Sequence, residues 1–274
     1  MVSFWEVGYK IVRSCHLGAY HSIICGVLQQ QDRNGDEMMV QIDYWSDYAC
    51  PYCYIGEARL KKAAEETLPK GGWTLRMHSF ELDPSAPRRT ETDTATRFAH
   101  KYGLTLDGAK ARIEDISSLG RAEGLDFRYA TTRYTNTFDA HRLTHYAQSL
   151  GDDEKAHKLE GLLYAAYFTK NLELADHAVL LDAAGEAGLD RGEASKVLLS
   201  GRFSDEVRRD EAAAARMGVH GVPYFVINGK LAIPGAMSKN DFAAALNQFI
   251  GEAKPAGEAK PKTHVCGPDG CRLE

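Results

Sequence analysis

Two cysteines, in the run Cys50-Pro51-Tyr52-Cys53, stand between a stretch that alternates like a strand and one that repeats like a helix. That junction limits the folds open to the chain. Upstream, VQIDYW (40–45) alternates apolar and polar side chains and breaks at Ser46-Asp47, the pattern of a half-buried strand feeding a loop. Downstream, Ile55, Leu60, Ala63 and Ala64 share one helical face, and Pro51 suits a first turn because its missing N–H would have no partner there. A C-x-x-C pair in this setting reads as redox chemistry. Unpaired N–H groups and the macrodipole at a helix start favour a thiolate, and cysteine pKa values in such motifs span roughly 3.5 to 7.5. Cys50 is therefore the expected nucleophile, and Cys53, one turn deeper, the expected resolving thiol. Pro51 stiffens the turn. Tyr52 brings no positive charge, so the expected couple is less oxidising than one with histidine there. The plainer alternatives are half of a zinc site or two packed thiols.

The rest of the chain organises around this unit. WTLRMHSF (73–80) alternates again as a second strand after the Gly71-Gly72 turn, which completes strand, helix, strand. Residues 91–204 are rich in Ala, Leu and charge, with Gly103, Gly120, Gly151, Gly185 and Gly188 as punctuation, and read as a helical insertion. Beyond it come a helix over 205–217, a turn, strands over 224–227 and 230–233 joined by Asn228-Gly229, and a helix capped by Ser238. Residues 1–37 have no clear period and read as an extension outside the fold, with the native start near Met38-Met39. A signal peptide, with Lys10 and Arg13 flanking 17–28, is the alternative. Residues 251–274 repeat GEAKP and read as a flexible tail. The segments are thus 1–37 extension, 38–90 first half, 91–204 insertion, 205–250 second half and 251–274 tail.

Composition excludes several classes. With 33 Lys plus Arg against 38 Asp plus Glu, a net charge of -5 offers no broad cationic face to nucleic acid or acidic lipid. No apolar run approaches the roughly 18 to 20 residues of a membrane-spanning helix. Six cysteines are too few for a disulfide-built scaffold of this length.

Further candidates lie elsewhere in the chain. Val222-Pro223 follows Gly218-Val219-His220-Gly221 and precedes a strand, a context that suits a cis peptide bond, with a purely structural turn as the alternative. Val222 could then pair by its main chain with an extended substrate across Cys50. His220 either adds positive charge near the thiolate or caps the loop. In the tail, Cys266 and Cys271 enclose Gly-Pro-Asp-Gly, which brings two thiols within disulfide reach. They read as a second redox pair able to exchange with Cys50 and Cys53. Soft-metal binding with His264 and an idle tail are the alternatives. Asn136-Thr137-Phe138-Asp139-Ala140-His141-Arg142 reads as a helix start, with Thr135 or Asn136 as cap, or as a substrate-side motif. Tyr164, Tyr167 and Phe168 read as core of the insertion. Cys15 and Cys25 receive no role.

SDYACPYCYIG (46–56), SFELDP (79–84), NTFDAHRL (136–143), AYFTKNLELAD (166–176) and GVHGVPYFVING (218–229), in that order, resemble the FrnE-like branch of the DsbA family of thiol-disulfide oxidoreductases. The resemblance covers about 40–250 and implies an α/β thioredoxin fold with an inserted all-helical domain, and a cis-proline at Pro223 facing the Cys50-Cys53 pair. It also implies dithiol oxidation, reduction or isomerisation of protein or peptide thiols and disulfides, with a small-thiol or protein reductant and no dissociable cofactor. Tyr52 and His220 depart from the residues familiar at those places, which bears on redox poise. A cytoplasmic setting without nucleic-acid or membrane partners is expected. Two other functions stay open: a soft-metal-binding or metal-stress thiol protein, and a glutathione-linked glutaredoxin or transferase, for which C-P-Y-C is also familiar.

Overall fold

A computed structural model describes residues 39–253 and two tail strands, His264–Gly267 and Gly270–Leu273. The expectations for residues 1–37, including Cys15 and Cys25, and for the linker after Ala253 lie outside the described residues.

Strand β1 (Val40–Ser46) enters helix α1 (Pro51–Thr67), and β2 (Trp73–Ser79) returns parallel to β1, with Val40 opposite Trp73 and Ser46 opposite Ser79. Six helices follow: α2 (Thr94–Tyr102), α3 (Leu106–Ala122), α4 (Phe138–Ser149), α5 (Asp153–Phe168), α6 (His177–Glu186) and α7 (Arg191–Leu198). Helix α8 (Ser204–Arg216) leads to β3 (Tyr224–Ile227), β4 (Leu231–Pro234) and α9 (Lys239–Ala253). The sheet order is β2-β1-β3-β4, with β3 antiparallel to β1 and β4 antiparallel to β3. The chain has a thioredoxin fold whose halves are separated by a helical insertion.

The local chemistry of the chain accounts for these elements. Val40, Ile42 and Tyr44 alternate toward a buried face shared with Cys53, Ile55 and Leu60 of α1 and Phe242 and Leu246 of α9. On the opposite face Trp45 packs with Ala214 and Val219, and its indole N–H donates to Asp210 O on α8 at 3.0 Å. Asp93, Thr105, Asp152, Asp176 and Asp190 each accept a first-turn N–H, setting the starts of α2, α3, α5, α6 and α7. Tyr54 on α1 stacks against Phe127 at 6.0 Å and Phe168 at 5.9 Å, so the insertion and the sheet domain share one core.

Three details differ from the sequence expectation. Gly120 does not punctuate a helix but lies inside α3, where a Cβ would sit 2.5 Å from the Phe127 ring. Strand β4 begins at Leu231 because the Lys230 N–H closes the turn onto Ile227 O at 2.9 Å, while Asn228 and Gly229 supply the two positive φ angles. Helix α4 starts at Phe138 with Thr137 at the cap position and no side-chain cap there. Asn136 Oδ1 accepts the Phe138 N–H, and the Thr135 hydroxyl accepts from Ala175 N instead.

One polar cluster fastens α8 to the sheet. His78 on β2 bonds Asp210 through Nδ1 and Asp43 through Nε2, each at 2.9 Å, and stacks on Trp45. His145 on α4 lies 3.0 Å from the second Asp210 oxygen. Burial alone would lower the proton affinity of His78, but the two carboxylates outweigh it and raise the pKa from 6.5 to about 9. A pKa raised on folding stabilises the protein fully below about pH 6.5 and loses that contribution as pH rises through about 9. Thermal stability should therefore fall between those values. His78→Gln should flatten this slope and lower stability at pH 7 by about 2 kcal/mol, measured by denaturant titration across that range.

Candidate active site

The site forms where the central strand hands over to α1. Strand β1 ends at Ser46, and Asp47-Tyr48-Ala49 cross to the helix start under tight restraint. Cys50 N donates to Asp47 O at 3.0 Å, while the Asp47 carboxylate accepts from Ala49 N at 3.2 Å and from Leu82 N at 2.8 Å. Cys50 takes the N-cap position with extended backbone, Pro51 opens the first turn, and the Cys53 N–H bonds back to Cys50 O at 3.2 Å. Both cysteines are free thiols. Cys50 is 4% exposed and Cys53 fully buried, so only the first can meet a substrate without rearrangement.

The Val222–Pro223 peptide bond is cis, and the Cys50 thiol donates to Val222 O at 3.6 Å. Residues 172 positions apart in sequence are thus in contact at one sulfur. Gly56 permits the approach: a Cβ there would lie 3.2 Å from Pro223 Cγ and 3.1 Å from Ala236 Cβ. Pro51 and Tyr52 are half-buried on the first turn, with Tyr52 packed on the core. His220 is exposed on the loop, and among the described residues no bond from it to either cysteine is present.

Beneath Cys50 the surroundings are polar but closed. Burial pushes the Cys53 thiol well above its ordinary pKa, and Cys50 adds to the rise. The Ser46 hydroxyl and the Asp47 backbone N–H oppose this by hydrogen bonding to the sulfur. Ser46 Oγ also lies 2.5 Å from the Tyr164 hydroxyl of α5. The Tyr164 ring stacks on Tyr54 at 4.8 Å and tilts against Tyr48 at 4.9 Å. Tyr48 is itself fixed by a 2.5 Å bond to Thr144. His141 is buried 3.6 Å from Asp47, with no hydrogen-bond partner at either ring nitrogen among the described residues.

The 136–142 motif is structural cement around this floor. Asn136 Nδ2 reaches Glu81 at 3.3 Å and Pro84 O at 3.2 Å on the segment after β2. Asp139 bridges Arg142 at 2.6 Å and His177 at 2.8 Å. The Arg142 guanidinium donates to the carbonyls of Val197, Ser200 and Arg202 beyond and at the end of α7, which satisfies helix-terminal acceptors from a buried side chain.

The sequence pattern reads Ser46 and Asp47 as a strand break at the head of the SDYACPYCYIG motif, with no role of their own, and Tyr164 as core. The first two had a readable signal, since they immediately precede the C-x-x-C loop. Tyr164 gave none beyond helical spacing, because its contact with Ser46 spans 118 residues. In the tail, Cys266 and Cys271 face each other as register partners in an antiparallel pair. Their side chains, and the metal alternative involving His264, fall outside the described residues. No group of three metal-ligating side chains is placed to hold an ion among the described residues. No helix of the described residues is long and apolar enough to cross a membrane.

A thioredoxin fold carrying a C-x-x-C at the start of α1, opposite a cis-proline loop, defines a thiol-disulfide oxidoreductase type of protein. The family model of the DSBA-like thioredoxin domain matches residues 41–247, and the chain belongs to that family. The solved structure of a probable DsbA oxidoreductase from Streptomyces coelicolor is 34% identical, with a TM-score of 0.74, covering 86% of this chain and 99% of the other. The Bacillus subtilis protein YwbO is 27% identical over 215 residues, covering 77% of this chain and 97% of its own. The cytosolic disulfide reductase DsbM from Pseudomonas aeruginosa shares the fold at 17% identity and a TM-score of 0.53, covering 77% and 99% of the two chains.

The packing at Gly56 makes a measurable demand. Gly56→Val should destabilise the protein by about 1 to 3 kcal/mol through overpacking against Pro223 and Ala236. It should also speed Cys50 alkylation by a thiol reagent, since the pushed loop carries away Val222 O, the acceptor that holds the thiol proton and helps cover the sulfur. Denaturant unfolding and alkylation kinetics check the two effects.

Proposed function

We propose that this chain exchanges dithiol for disulfide in protein or peptide substrates, with Cys50 as nucleophile and Cys53 as resolving thiol. The observation that carries this reading is the placement of the Cys50 sulfur at a helix start, 3.6 Å from Val222 O, with Cys53 fully buried one turn behind. The Cys50 thiolate attacks a substrate disulfide, forming a Cys50–substrate S–S bond and releasing one substrate thiolate, which takes a proton. Cys53 then loses its proton and attacks Cys50, forming the Cys50–Cys53 bond and releasing the second substrate thiol. The substrate is reduced and the protein dithiol oxidised; run backwards, the same steps oxidise a substrate.

Val222 and Pro223 position the substrate in this proposal. Val222 O faces the reacting sulfur, and an extended peptide there gains affinity from main-chain bonds without strong side-chain selectivity. Pro51 and Tyr52 set the stiffness and charge of the motif, and His220 modulates from the exposed loop. Cys266 and Cys271 are a second redox pair that exchanges with the first. Their opposition across two antiparallel strands supports this, because such partners lie within the separation a disulfide spans. A cytosolic setting with a small-thiol or protein reductant would drive the cycle toward reduction or isomerisation.

Insulin disulfide reduction and refolding of a scrambled disulfide protein test the proposal. Cys50→Ser should lower both activities about a thousandfold or more, since no other thiolate occupies its place. Cys266→Ser combined with Cys271→Ser should change the rate without abolishing it. Inactive wild type in matched redox buffers, or full activity in Cys50→Ser, would overturn the assignment.

A further inference from the structure

The resolving thiol has a hydroxyl chain behind it that reaches from the helical insertion. Ser46, the last residue of β1, is fully buried with its hydroxyl against the Cys53 sulfur. Tyr164 comes from α5, and its ring is held between Tyr48, before Cys50, and Tyr54, after Cys53. The phenol lies 2.5 Å from Ser46 Oγ. A serine hydroxyl has one proton, so when it donates to sulfur it accepts from its other neighbour. Burial pushes the Tyr164 phenol well up, so it stays protonated and able to donate.

We propose that Tyr164 and Ser46 form a donor chain, Tyr164 to Ser46 to Cys53, that stabilises negative charge on Cys53 as it develops, with Ser46 in contact with the reacting sulfur and Tyr164 acting as a positioning residue. This rests on the assignment of Cys53 as resolving thiol. The chain binds the thiolate better than the neutral thiol or the disulfide, because a charged acceptor strengthens both bonds. It therefore lowers the barrier of the step rather than binding all states alike. In that step Cys53 gives its proton to solvent and its electron pair attacks Cys50 Sγ. The Cys50–Cys53 bond forms, the Cys50–substrate bond breaks, and the departing thiolate is protonated by water. The other titratable groups packed here are Cys50 and Asp47 beside Cys53, His141 beside Asp47, and Tyr48, Glu57 and Glu160 around Tyr164. Glu57 is paired with Lys61 at 2.5 Å and Glu160 with His157 at 3.0 Å. Burial first, then Cys53 and Glu57, disfavour charge on Tyr164, which keeps that hydroxyl a donor.

Reduced full-length protein treated with 5,5′-dithiobis(2-nitrobenzoate) separates the two steps. Attack by Cys50 releases one chromophoric thiolate, and resolution by Cys53 releases a second. Cys15→Ser/Cys25→Ser/Cys266→Ser/Cys271→Ser serves as the background, so that of the six cysteines only Cys50 and Cys53 react. Tyr164→Phe and Ser46→Ala should leave the first release unchanged, slow the second about tenfold, the effect of losing a bond to a charged acceptor, and move its pH midpoint upward. Ser46→Thr should recover most of the rate by restoring the hydroxyl. Ser117→Ala, which removes a buried hydroxyl bond to Ile113 O elsewhere in the insertion, should change neither release. A second release at the background rate and pH midpoint in both Tyr164→Phe and Ser46→Ala would overturn the donor chain while leaving the dithiol reading intact. A background protein that releases no thiolate, or releases one and never resolves, would overturn the dithiol reading and the chain together.

Discussion

Everything at this site depends on β1 pairing with β3 across an insertion of more than a hundred residues. Ile42 opposite Ile227, Tyr44 opposite Phe225 and Trp45 opposite Tyr224 are the contacts that make one sheet of two distant segments. Tyr44 and Phe225 also stack at 5.6 Å, so the register is held by side chains as well as by the ladder. The loop before β3 then meets the loop after β1, and the Cys50 sulfur meets Val222 O. A one-residue slip would turn Tyr44 and Phe225 outward and move Val222 away from the thiol.

The insertion does more than close the core. Tyr164 meets Ser46, Thr144 fixes Tyr48, and Asn136 holds the segment whose Leu82 N–H binds Asp47. The floor under Cys53 is thus built from both parts of the chain. The Ser46–Tyr164 and Tyr48–Thr144 hydroxyls, costly alone in a dry interior, are bonded in pairs there, while His141 beside them is buried without such a bond among the described residues, and the thiol they surround is fully buried. Burial makes Cys53 reluctant to ionise, and the same closed surroundings make each hydrogen bond to its sulfur count for more.

Much of this was legible from local pattern. Period-two alternation in 40–45 and 73–80, the apolar face of α1, Asn228-Gly229 and the Ser238 cap are short-range signals, and each sits within about a residue of its element. The helical character of 91–204 was legible, but its boundaries were not. Gly120 looked like punctuation and is instead the clearance for Phe127, a fact of packing. Ser46, Tyr164 and the freedom required at Gly56 were illegible for the same reason, since each matters only through a partner far away in sequence. The motif at 136–142 showed the reverse case: its polarity was plain, but its work, anchoring α7 and the loop after β2, needed the fold.

The most direct test of the account is to capture the intermediate it requires. Cys53→Ala incubated with a peptide disulfide and examined by intact mass and peptide mapping should hold one peptide half in disulfide linkage to Cys50. Cys50→Ala under the same conditions should hold none on the buried Cys53. An adduct on Cys53 in Cys50→Ala, or no adduct on Cys50 in Cys53→Ala, would contradict the order of attack on which the whole description of the site rests.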